Sequence, residues 1–100
     1  MTYQDEIIKK IKMHSSYLST QFGVKRVGLF GSVARNRETD KSDIDLVVEF
    51  EKPVGLEFIA LTEYLETLFG RKVDLITREG LKNIRVKRVS SDIENHIIYV

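Results

Sequence analysis

Leu29-Phe30-Gly31-Ser32-Val33-Ala34-Arg35 leads, through a polar segment at 36–42, into Asp43-Ile44-Asp45-Leu46-Val47-Val48. The first run ends an apolar strand on a Gly-Ser pair. The second opens another apolar strand on two carboxylates one residue apart. Alternate residues of a strand share a face, so Asp43 and Asp45 stand side by side while Ile44 and Leu46 point to the core. Adjacent carboxylates repel unless a positive charge sits between them. Hard divalent cations, Mg²⁺ above all, take oxygen ligands and bridge carboxylates to substrate phosphates. A short helix opened by Gly31-Ser32 offers free backbone N–H groups to a phosphate. The stretch thus carries both halves of a metal–nucleotide site.

Working outward, Val24-Lys25-Arg26-Val27-Gly28-Leu29-Phe30 reads as the strand before the loop, with Gly28 permitting close backbone approach. Upstream, Ile7, Ile8, Ile11 and Leu18 recur at helical spacing behind Thr2 as N-cap, predicting one helix over 3–20. One or two helical turns are expected over 32–35, then a loop over 36–42 and a strand over 43–50. Pro53 and Gly55 break the chain. An amphipathic helix over 56–69 follows, with Leu56, Ile59, Ala60, Leu61, Tyr64, Leu65 and Leu68 as its apolar face and Gly70 as C-cap. The third strand is 72–77, with Val73 and Leu75 facing one way and Asp74 and Ile76 the other. Residues 78–94 read as mostly helical. The apolar tail His96-Ile97-Ile98-Tyr99-Val100 is expected either to dock on its own core or to join a partner's patch. This order predicts an α/β (α+β) fold with a small mixed β-sheet flanked by helices and the first two strands as neighbours.

The 100 residues, 42% hydrophobic and 31% charged, suit one small globular domain over 1–100. A net charge of +1 gives no field to drive the chain onto nucleic acid. The absence of cysteine removes thiol catalysis, disulfides and thiolate metal sites, and fits a reducing cytoplasm. No apolar run approaches a membrane span, and the N-terminus lacks the basic start and apolar stretch of a signal peptide. A cytoplasmic protein is expected, with room for one core and little for a built-in acceptor pocket.

A lone Asp-x-Asp is a weak signal, because such pairs commonly cap backbone or face solvent. Here a third carboxylate, Asp74, lies inside an apolar strand, where a charge is costly without a partner. Three carboxylates on neighbouring strands point to a metal site. Asp43 and Asp45 would ligate Mg²⁺ carried with a nucleoside triphosphate; Asp74 would complete a second metal position and help deprotonate an attacking hydroxyl. Gly31 would let backbone approach the phosphates, Ser32 adds a hydroxyl, and Arg35 either pairs with a phosphate or is simply exposed. His14 and His96 are too far apart in sequence to imply a metal pair and read as structural or exposed. Arg78, Lys82, Arg85, Lys87 and Arg88 form a basic cluster that reads as a solvated helix face or as a contact for an acidic partner or phosphates.

Gly31-Ser32-Val33-Ala34-Arg35 followed by Ser42-Asp43-Ile44-Asp45-Leu46 resembles the signature of the DNA polymerase beta-like nucleotidyltransferases. The likeness is greatest to the minimal nucleotidyltransferases, which consist of the catalytic core alone. Asp74, in Val73-Asp74-Leu75, falls where that family has its third acidic residue. One departure is Asn36, where the family commonly has glycine; asparagine tolerates left-handed backbone better than most residues. The resemblance implies transfer of a nucleotidyl group, usually AMP from ATP, to a hydroxyl. It implies Asp43, Asp45 and Asp74 as catalytic carboxylates and ligands of two Mg²⁺ ions, with Gly31, Ser32 and Arg35 at the nucleotide. It further implies an antitoxin paired with a HEPN-domain ribonuclease toxin, some members attaching AMP to a tyrosine of that toxin. Two readings compete: a non-catalytic antitoxin that neutralises by binding, and a small-molecule adenylyltransferase, although those resemble longer chains with an added substrate domain.

Overall fold

The computed structural model describes residues 2–39, 41–82 and 97–100. Helix α1 spans Tyr3–Met13. Its start is closed reciprocally: the Asp5 N–H donates to the Thr2 hydroxyl at 3.0 Å, and the Thr2 N–H donates to the Asp5 carboxylate at 3.2 Å, satisfying two end groups that the helix itself leaves open. The single helix expected over 3–20 does not form. The chain breaks at His14 (φ −104°, ψ 7°) and resumes as α2, Ser15–Phe22. The cause is a distant residue. The Tyr64 hydroxyl lies 2.9 Å from His14 Nδ1, and Tyr17 stacks on the Tyr64 ring with centroids 5.0 Å apart. The break turns α2 onto that ring, and gives His14 the structural role read for it.

Strands β1 (Val24–Phe30), β2 (Ile44–Phe50), β3 (Val73–Thr77) and β4 (Ile98–Tyr99) form one sheet in the order β3-β2-β1-β4. β1 and β2 are antiparallel neighbours, as their short connection requires, with Phe30 opposite Asp45. β2 and β3 are parallel, with Asp45 opposite Asp74. A parallel pair needs a crossover, here made by α4, Glu57–Phe69. The sheet is therefore mixed and flanked by helices, the fold class the sequence predicts.

One sheet face is the core. Leu29, Ile44, Leu46, Val48 and Val73 meet Ile7 and Ile11 of α1, Leu18 of α2, and Leu61, Leu65 and Phe69 of α4. β2 is central and buried on both sides: Val47, on the opposite face by alternation, is only 2% exposed. That second face is partly covered by α5, Arg78–Lys82, which packs on β2 and β3 with Gly80 against Ile76. The apolar face expected for α4 needs correction. Leu56 and Ile59 are 83% and 58% exposed, and Ala60 is exposed too. Leu56 is the cap residue rather than part of the first turn. Ile59 precedes Leu61 by two residues, about 200° around the helix, and so faces away from the sheet.

The tail docks on its own core. β4 pairs antiparallel with β1, the Val100 N–H donates to the Val27 carbonyl at 2.9 Å, and Ile98 and Val100 pack against the main cluster. Gly28 is what lets it close: a Cβ there would come within 2.8 Å of Val47 Cγ1 and 3.1 Å of Tyr99 Cε1. Arg78 donates to the Tyr99 hydroxyl, and the Arg26 guanidinium lies 4.1 Å from the centre of the same ring. The remainder of the helix expected over 78–94, with Arg85, Lys87 and Arg88 of the basic cluster, lies outside the described residues, as does His96; the Lys82 side chain does too. Among the described residues no helix is long and apolar enough to cross a membrane.

Candidate active site

β1 ends at Phe30 and the chain turns at once. Gly31 adopts φ +74°, a left-handed conformation that costs an L residue roughly 1–2 kcal/mol. It opens α3, a single turn over Gly31–Ala34, anchored by the fully buried Val33. The turn rests directly on the carboxylate of β2. A Cβ at Gly31 would overlap Asp45 Oδ2 and lie 2.8 Å from Asp45 Cγ. Glycine is therefore required twice, for its backbone angle and for its missing side chain. The Ser32 carbonyl accepts from the Arg35 and Arg37 N–H groups at 3.2 and 2.8 Å; its hydroxyl has no partner among the described residues. Arg35 is exposed, and its guanidinium likewise has none among them. Asn36 takes φ +56°, so the turn expected to tolerate asparagine does so in left-handed backbone.

The three acidic residues occupy different positions. Asp45 lies within β2, half-buried beneath Gly31, with Asp74 opposite on β3. Its pKa is pushed up to about 6, first by burial, then by the charges of Asp74 and Asp43, and by hydrogen bonding with Asp74. Two carboxylates sharing one site raise the cost of ionising both. Asp43 falls just outside β2, immediately before Ile44, and is also half-buried. Asp74 is exposed, which corrects the expectation of a charge trapped in an apolar strand. Asp74 shares its face of β3 with Ile76, and α5 covers that face at Ile76 but leaves Asp74 exposed. The sheet thus brings Asp45 and Asp74 together, with Asp43 close enough to act on Asp45 through its charge. Among the described residues no three acidic or histidine side chains already converge as a closed ligand set. The donors gathered at this end of the sheet are carboxylate oxygens, and their mutual repulsion favours a hard cation between them.

Clefts of about 500, 390 and 320 Å³ lie elsewhere on the molecule. None is lined by Gly31, Ser32, Asp43, Asp45 or Asp74. Among the described residues, these clefts leave the Gly31 turn and the three carboxylates outside their walls. Two residues passed over in the sequence reach this region. Gln4 of α1 and Arg71, before β3, donate to backbone carbonyls of the loop around it. Neither carries a local signal, since a polar residue in a first helical turn or after a helix-ending glycine reads as solvent-facing.

Comparison with known proteins bears on this arrangement. The family model of the nucleotidyltransferase domain matches residues 11–100. The protein adenylyltransferase MntA of Thermococcus cleftensis is 40% identical over 90 residues, covering 89% of this chain and 91% of its own. A solved structure classed as a minimal nucleotidyltransferase aligns with a TM-score of 0.74 at 29% identity, covering 98% of this chain and 95% of that one. A toxin–antitoxin crystal structure with AMP-PNP aligns with a TM-score of 0.64 over 97% of this chain and 71% of that one; at 18% identity this is a likeness of fold. The family match runs from the second half of α1 through the loop and the carboxylate strands to β4, and the chain therefore belongs to the nucleotidyltransferase domain family.

Proposed function

We propose that this nucleotidyltransferase is a Mg²⁺-dependent protein adenylyltransferase. It transfers AMP from ATP to a hydroxyl, that of a tyrosine, on a HEPN-domain toxin, and so acts as the antitoxin. The observation that carries the reading is Asp45 beneath the Gly31 turn with Asp74 opposite it, its pKa raised to about 6 first by burial and then by the charges of Asp74 and Asp43. The small size of the domain, with little room for a built-in acceptor pocket, supports an acceptor brought by another macromolecule, and the likeness to MntA supports AMP as the group transferred. The ATP-analogue complex of a toxin–antitoxin pair with this fold supports both partners.

In this reading the acceptor oxygen attacks the α-phosphorus of ATP. The bond from that phosphorus to the α–β bridging oxygen breaks, pyrophosphate leaves, and the acceptor proton passes to Asp74. Asp43 and Asp45, with Asp74 for a second ion, would hold Mg²⁺. Bound there, the metal supplies neutralisation of phosphate charge and stabilisation of the leaving oxygen. Gly31 lets the loop backbone approach the phosphates without a side chain in the way, Ser32 offers its hydroxyl, and Arg35 its guanidinium.

Co-expression with a HEPN-domain toxin that this chain neutralises, followed by intact-mass spectrometry, tests the reading. The toxin gains the mass of one or more AMP groups with the wild type and none with Asp43→Asn. A toxin fully neutralised yet unmodified would replace the enzymatic reading with neutralisation by binding. Asp74 separates chemistry from folding. Being exposed, Asp74→Asn should not destabilise the fold, and by relieving the repulsion on Asp45 it should melt at or slightly above the wild type. It should lower the single-turnover rate by about 10²–10⁴-fold, the range for loss of a positioned base, with ATP affinity largely kept. Activity that falls only in step with melting temperature would assign Asp74 a structural role.

A further inference from the structure

We propose that Gln4, Tyr3 and Arg71 form a clamp that positions residues 31–39 and 41–43, the backbone from the nucleotide turn to the first carboxylate, for the transfer reaction proposed above. The internal bonds of this segment shape its turns but do not tie it to the sheet. The Thr39 N–H donates to Ser42 Oγ at 2.8 Å, the Ser42 N–H to the Thr39 carbonyl at 3.0 Å, and the Arg37 N–H to the Ser32 carbonyl at 2.8 Å. Arg35, Asn36, Arg37, Thr39 and Lys41 are all exposed, so apolar burial is confined to Val33 and Ala34 at its start among the described residues. Glu38 adds a cost, because its Oε2 is buried with no hydrogen-bond partner among the described residues. A segment built this way needs holding from outside.

The clamp grips it at both ends. Gln4 Nε2 donates to the Ala34 carbonyl at 2.7 Å and reaches the Val33 carbonyl at 3.4 Å, fixing the close of α3. Arg71 Nη1 donates at 3.2 Å to both the Thr39 and the Ser42 carbonyls. Ser42 directly precedes Asp43, so this guanidinium sets where that carboxylate leaves the loop. The backbone beside Arg71 is itself fixed to β2, because the Ile44 N–H donates to the Lys72 carbonyl at 3.0 Å. Tyr3 links the two grips: it is the chain neighbour of Gln4, and its ring centre lies 4.6 Å from the Arg71 guanidinium carbon, within cation–π range. Arg71 makes no salt bridge among the described residues. Its charge goes instead to two carbonyls and an aromatic face, a geometry that a planar guanidinium fits and an ammonium does not. These are positioning residues: they touch the loop, not the reacting atoms.

The test uses Arg71→Ala, Arg71→Lys, Gln4→Ala and the double alanine variant, read by hydrogen exchange and by single-turnover transfer. In Arg71→Ala the amides of residues 33–39 and 41–43 should exchange faster while those of β1 and β2 stay protected. The single-turnover rate should fall about 10–100-fold, since displacements of about 1 Å carry costs of that order, with a smaller loss of ATP affinity. Arg71→Lys should recover only part of the rate. The double variant should lose less than the product of the two single losses, because both residues act through one segment. Unchanged exchange in this segment, or faster exchange spread evenly over the whole sheet, would overturn the clamp. If the wild type transfers no AMP, the adenylyltransferase reading fails by itself, and the exchange measurement still decides whether the clamp exists.

Discussion

Asp45→Asn is expected to abolish nucleotide transfer while making the ligand-free protein more stable at neutral pH. Asp45 is half-buried, lies under Gly31 and shares its site with Asp74 and Asp43. Its pKa in the folded protein is raised from 3.8 to about 6, so between those values the folded state holds a proton that the unfolded state has released. Stability therefore falls as pH rises through that window and stays lower above it. Asparagine keeps the shape, cannot ionise, and removes the repulsion. Discounted for the half-exposed position, the gain at pH 7.5 is about 1 kcal/mol, or roughly 4–8 °C in melting temperature for a chain of this size. Thermal melts at pH 5, 6 and 7.5 check it: the wild type loses melting temperature along the series, and the variant stays level and above it at pH 7.5. Mg²⁺ should restore the wild type at pH 7.5 and do little for the variant. Transfer should fall by at least about 10²–10³-fold, the loss seen when one group that stabilises transition-state charge is removed. Wild-type transfer by this variant, or a melting temperature below wild type at pH 7.5, would sink the assignment. A gain in stability coupled to a loss of activity marks a residue retained for chemistry rather than for folding.

Gly31→Ala is expected to cost both stability and nucleotide binding, and comparison with Gly70→Ala separates the two. Both glycines have left-handed backbone, φ +74° and +64°, so both substitutions carry the conformational penalty of roughly 1–2 kcal/mol. Around Gly70 an added Cβ meets nothing within 4 Å, whereas at Gly31 it overlaps the Asp45 carboxylate. Relieving that overlap means moving either the turn or Asp45, a further cost of roughly 1–3 kcal/mol. Gly31→Ala should therefore be the less stable variant and should lose Mg-ATP binding, while Gly70→Ala melts slightly lower and binds as wild type. Calorimetric titration with Mg-ATP alongside thermal melts makes the comparison. Equal binding by the two variants would show that the turn at Gly31 does not shape the nucleotide site.

The parts of this protein that the sequence by itself determined are those whose geometry is local. The two-residue period of Asp43-Ile44-Asp45-Leu46 decides which side chains face the core, because a strand has no other way to place them. The change from that period to one near four marks α4, and Gly70 closes it with the left-handed residue a helix end favours. The short, polar link between β1 and β2 leaves those strands little choice but to pair. Tertiary structure decided whatever depended on a residue far along the chain. The first helix breaks at His14 because Tyr64, 50 positions later, supplies a hydrogen bond and a stacking surface there. Asp74 is exposed because α5 covers its face of β3 only at Ile76, and where a helix lands on a sheet is a property of the assembled fold. The apolar tail becomes β4 because Gly28 leaves it room against β1. Gln4 and Arg71 meet the loop across 30 and 29 residues of chain, to Ala34 and Ser42. Periodicity and turn chemistry record how a residue relates to its near neighbours. Which distant groups satisfy its hydrogen bonds, cover its charge or press on its side chain is settled only when the elements pack.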